Sequence, residues 1–167
     1  MFDFEFDHII KDGVDLAPEK GLFLWVFHAD KIPPHIGISL DGYFFSLKSS
    51  GVDIDLETNQ VLRIIRNKRI PSFLIELSQK SISRHPREVY ETYSKVQAGV
   101  DTCLAPIKVI LGIKNSTKLS ELLIQLKEDG NIKRVFGCNS AQKLRGIKTY
   151  STADITNRLL HLENELK

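Results

Sequence analysis

The chain has 167 residues, of which 42% are hydrophobic and 26% charged, and a formal net charge of +2. That is enough apolar content for one compact domain and excludes both disorder and an extreme polyelectrolyte, and the near-neutral balance gives no expectation of nucleic acid as a partner. The opening MFDFEFDHII has acidic residues and no apolar run, and the longest apolar run, GLFLWVF, is far too short for a transmembrane segment, so a cytoplasmic location is expected.

In chain order, residues 1–20 read as an irregular or edge segment. The run from Leu22 to Phe27 suits a strand buried on both faces. After a polar loop, HADKIPP, the run HIGISL, the dipeptide Asp41-Gly42 and the run YFFSLK predict a hairpin with a two-residue turn. Gly51 to Leu56 alternates as a further strand. Val61 to Ile65 and Ser72 to Leu77 read as short β-rich runs separated by RNKRIP. His85-Pro86 opens a helix that runs to Ala98 before Gly99. A second helix starts at about Cys103 and stops at Gly112. A third follows Thr117, carries LSELLIQL, and stops near Gly130. Asn131 to Phe136 reads as a last short strand. Ser151 or Thr152 caps a terminal helix, 152–166, with Ile155, Leu159, Leu162 and Leu166 on one face. Strands followed by helices predict a single α+β domain over 1–167, with a small antiparallel β-sheet or half-barrel packed against helices.

The residues that could carry chemistry are few. There is no CxxC or HExxH, so no metal site is expected, and no GxGxxG or GxxxxGK[ST], so no nucleotide and no other cofactor is expected. The hairpin turn fixes a register in which Leu40 faces Tyr43, Ile38 faces Phe45 and Ile36 faces Leu47, all on the core side. His35, Gly37, Ser39, Phe44, Ser46 and Lys48 then share the non-core face, with His35 across from Lys48 and diagonal to Ser46. Glycine and hydroxyls around the imidazole leave room for a partner group. Cys103 follows Asp101-Thr102, either of which caps a helix, and Pro106 pins the helix start close to it. Helix-terminal N–H groups and a nearby imidazole favour a thiolate there. Cys138, in FGCNSAQ, has no such helix start and reads as structural.

A histidine opening a strand in PHIGISLDGYFFSL, followed later by a cysteine opening a helix in DTCLAPIKVILG and by STKLSELLIQLKED, resembles the circularly permuted papain-like cysteine enzymes of the NlpC and lecithin:retinol acyltransferase type, over roughly residues 22–128. The resemblance implies a permuted papain-like fold. It implies a thiol amidase, peptidase or acyltransferase, with Cys103 as nucleophile, His35 as general base and Ser46 as the third, imidazole-orienting residue, acting on a peptide, amide or acyl substrate. Two departures stand out. Histidine, asparagine or glutamine is more usual where Ser46 stands, and the usual Asn-Cys pair is missing. A catalytically weak or inactive binding module on the same fold is the second reading. His28 and Asp30 read as loop residues near His35, Glu76 as a surface carboxylate, His85 as a helix cap, and RIIRNKR and KLRGIK as solvated faces.

Overall fold

The computed structural model describes residues 1–11, 18, 20–95 and 102–165. Its strands are β1 (Phe2–Glu5), β2 (Ile10–Lys11), β3 (Leu22–Phe27), β4 (His35–Leu40), β5 (Tyr43–Lys48), β6 (Gly51–Glu57), β7 (Ser72–Leu77), β8 (Ile132–Cys138) and β9 (Gly146–Lys148). The helices are α1 (Thr58–Asn67), α2 (Pro86–Tyr90), α3 (Ala105–Leu111), α4 (Leu119–Glu128) and α5 (Thr152–Glu165). The α+β class is therefore as the sequence predicts. The sheet is larger than expected: seven strands in the order β2-β8-β7-β3-β4-β5-β6, open rather than closed into a barrel. It is also mixed rather than purely antiparallel, because β2 runs parallel to β8 while the remaining neighbours are antiparallel.

All six residues of β3 are buried, which fits its place between β7 and β4. Leu22, Leu24 and Val26 face one apolar layer, built with Ile36, Ile38, Phe45 and Leu47 and closed by α2, α3 and α4 through Tyr90, Ile107 and Leu122. Phe23, Trp25 and Phe27 face the opposite layer, where Phe44 meets Val61, Leu62 and Ile65 of α1. The hairpin register is as predicted at its turn, Leu40 to Tyr43 and Ile38 to Phe45. The β4–β5 ladder ends at Gly37 and Ser46, so His35 and Ile36 lie beyond its last rung.

Four expectations are corrected here. The face carrying His35 is not a non-core face. Ser39 and Ser46 are fully buried and Phe44 almost so, because α1 covers that side. Val61 to Ile65 is helix, not strand: Val61, Leu62 and Ile65 sit at helical spacing on the buried side, with Arg63 and Ile64 outward. Residues 1–20 are not simply irregular. They hold β1, which pairs antiparallel with β9 and buries Phe4, and β2 at the sheet edge. The helix begun by His85 ends at Tyr90, and Glu91 follows as its cap; Ala98 and Gly99 lie outside the described residues, as does Asp101. No helix among the described residues is long and apolar enough to cross a membrane.

Candidate active site

His35 opens β4 opposite Phe27 of β3, and the two rings stack at 5.6 Å between centroids. The imidazole is half-buried. Burial pushes its pKa down to about 4, against the pull of the Asp53 carboxylate and assisted by the charges of Lys48 and His28. At neutral pH the ring is therefore an uncharged base.

Cys103 lies in the turn that leads into α3. The Thr102 hydroxyl accepts the Leu104 N–H at 3.3 Å and the Thr102 carbonyl accepts the Ala105 N–H at 3.1 Å, which winds the chain into the helix. Pro106 sits in the first turn, and Gly112 ends α3 in the left-handed region at φ 66°. Asp101, the other predicted cap, is outside the described residues.

β4 and the turn before α3 bring the two sequence-predicted residues to the same end of the β4–β5 pair but on different faces of the sheet: the His35 ring stacks on Phe27 of the α1-side layer, whereas Cys103 packs against the opposite layer with Ile36. The backbone N–H of Ile36, the residue after His35, donates to the Cys103 sulfur. Cys103 and His35 line one cavity of about 330 Å³, together with Ile36, Leu104, Leu119 and Tyr150. Among the described residues no hydrogen bond links the imidazole to the thiol. The thiol is also not the low-pKa group that a helix mouth suggests. Burial raises its pKa, and the Ile36 and Cys103 backbone N–H groups offset this only in part. Thiol and imidazole are thus each neutral, with no ion pair between them among the described residues.

Ser46 is not a direct partner of the imidazole. Its buried hydroxyl donates to Asp53 Oδ2 at 2.8 Å across the β5–β6 ladder, and Asp53 Oδ1 pairs with Lys48 Nζ at 3.1 Å. Asp53, which sequence reasoning passed over, is the carboxylate whose charge acts on His35. The glycine expected to leave room beside the imidazole does something else. A Cβ at Gly37 would lie 2.5 Å from Phe44 Cζ, so the aromatic ring already occupies that space.

Two tyrosines were also missed. Tyr150 is buried and lines the cavity. Its hydroxyl accepts the Leu119 N–H at 3.0 Å, which leaves its own proton to donate, and burial raises its pKa to about 12. Tyr90 is fully buried, its hydroxyl has no hydrogen-bond partner among the described residues, and its ionisation is opposed first by burial and then by Cys103.

Of the remaining residues, His28 lines the same cavity with φ 51°. Asp30 offers its backbone carbonyl to Lys148 Nζ at 2.9 Å. Glu76 pairs with Arg134 and Lys133 at the other end of β3, opposite Phe23, far along the sheet from His35. His85 caps α2 by accepting the Arg87 N–H at 3.1 Å, as predicted. Cys138 is buried in the α1-side layer, which pushes its thiol up to about 11. No protein-family model, curated protein or solved structure matches the chain.

Proposed function

We propose that the protein is a cysteine-dependent acyl-transfer enzyme, an amidase, peptidase or acyltransferase, on a permuted papain-like fold. The observation that carries this reading is the shared cavity of Cys103 and His35, with the sulfur held against the backbone of the very next residue, Ile36. In this reading neutral His35 takes the Cys103 proton through a water in the shared cavity as the sulfur attacks a substrate carbonyl, and a C–S bond forms. The oxyanion receives hydrogen bonds from the Ile36 N–H, vacated as the sulfur moves, and from the Tyr150 hydroxyl. The tetrahedral adduct collapses by breaking the bond to the leaving group, which departs with the proton held by His35. Water or a second acceptor then attacks the thioester and gives its proton to His35, the C–S bond breaks, and the proton passes from His35 to the Cys103 sulfur to restore the thiol. Asp53, bound by Ser46 and Lys48, favours the transient imidazolium through its charge.

The test is acylation by a p-nitrophenyl ester, followed by peptide mapping. The expected product is a thioester on Cys103 that neutral hydroxylamine cleaves. His35→Asn is expected to slow its formation by about 10²–10⁴-fold. Acylation of Cys138 instead, no thioester at all, or an undiminished rate in His35→Asn would count against the proposal.

A further inference from the structure

The cavity has a sharply divided lining. Leu104, Leu119 and Tyr150 form its apolar floor, whereas the charged groups at its mouth are cationic. Lys31 comes from the loop before β4 and Arg158 from α5, and both are exposed. Among the described residues, no carboxylate lines this cavity and neither cation is in an ion pair. Lys48, the third cation of the lining, is already neutralised by Asp53. Besides burial, the charges of Lys31 and Arg158 act on the same ring, His28, and oppose its protonation, while the Asp30 carboxylate favours it, so two cations and one carboxylate lie near this side of the mouth. Two cations in the lining, with one nearby carboxylate that does not itself line the cavity, leave a net positive charge that an anionic group of a ligand can satisfy.

We propose that the site selects acyl substrates carrying a carboxylate near the reacting carbonyl, the carboxylate held by Lys31 and Arg158 and an apolar group lying against Leu104 and Leu119. This rests on Cys103 being the nucleophile, and it adds the charge of the substrate. Lys31 and Arg158 are specificity-determining residues here, with no part in proton transfer.

The experiment compares alkylation of Cys103 in the full chain by iodoacetate and by iodoacetamide. The two reagents are close in size and differ in charge. Rates are read by peptide mass spectrometry at about pH 9 and low ionic strength, with N-acetylcysteinamide as the reference thiol. The iodoacetate to iodoacetamide ratio at Cys103 is expected to exceed that of the reference thiol by about two- to fivefold per cation. It should fall to the reference value in Lys31→Gln/Arg158→Gln, and most of the way in high salt. A ratio equal to the reference, or one unchanged in the double variant, overturns the carboxylate selectivity while leaving the nucleophile in place. If neither reagent modifies Cys103, both the selectivity and the nucleophile reading fall together.

Discussion

The sharpest constraint on the site at the scale of single residues is Gly37. Phe44 and the Phe45 carbonyl fill the volume that a side chain would take. Gly37→Ala is therefore expected to destabilise the protein by about 1–3 kcal/mol, as overpacking a close-packed core does, and chemical denaturation measures the loss. The places of His35 at the start of β4 and of Cys103 before α3 were legible in the sequence because each sits beside a strong local signal, the Asp41-Gly42 turn and Pro106. Asp53 was hidden for a specific reason. Only the second turn, through Ser49-Ser50, sets Lys48 against Gly51 and hence Ser46 against Asp53, and no strong turn dipeptide marks it. Tyr150 gave no signal, since nothing local to it indicates the Leu119 N–H that orients its hydroxyl. The direction of the Cys103 pKa was misjudged because helix-terminal stabilisation is visible in sequence and desolvation is not.

For elements, the decisive point is what each helix covers. α1 was misread because Val61, Ile64 and Ile65 are β-favouring residues, and the spacing of Val61, Leu62 and Ile65 becomes decisive only once the Phe23, Trp25 and Phe44 face of the sheet needs a cover. β1 was recoverable from the alternation of Phe2, Phe4 and Phe6, a period-two pattern partly concealed by the acidic residues between them. α5 starts at Thr152 as predicted; of its predicted apolar face, Ile155 and Leu159 form part of the cavity wall, while the side chains of Leu162 and Leu166 lie outside what is described. Its start is held by Ser151 and Asp154, whose carboxylate accepts the Ser151 N–H at 2.7 Å. Replacing both wall residues, Ile155→Ser/Leu159→Ser, is expected to loosen α5 and speed carbamidomethylation of Cys103 several-fold. Tm is expected to fall modestly, since both side chains are only partly buried. An unchanged labelling rate would show that α5 does not limit access.

Across the whole molecule, the sheet lies between two apolar layers and carries its one strongly perturbed histidine at the rim. The folded pKa of His35, about 4, lies below the ordinary value of 6.5. Between those values the unfolded chain takes up a proton that the folded chain resists, so stability is expected to decline as pH falls from 6.5 towards 4. The loss is on the order of 2–3 kcal/mol by linkage. Urea unfolding at several pH values measures it, and His35→Asn is expected to flatten the slope in that window. The lowered pKa of His28 contributes in the same direction. Asp3, bonded to Lys118 and Thr149, acts at lower pH. Its depressed pKa gives stability that is present above its ordinary value of 3.8 and is lost as pH falls through the folded one.

The hydrogen bond from the Ile36 amide to the Cys103 sulfur carries a consequence for any chemistry at that sulfur. β4 is hydrogen-bonded to the central strand of the sheet, and a single peptide unit is all that separates the thiol from it. Oxidation, acylation or metal capture at Cys103 leaves lone pairs on the sulfur but draws electron density from it and makes it a poorer acceptor for that amide. One peptide unit thus links Cys103 to strand pairing, so a modification of this sulfur acts on the sheet backbone as well as on one side chain.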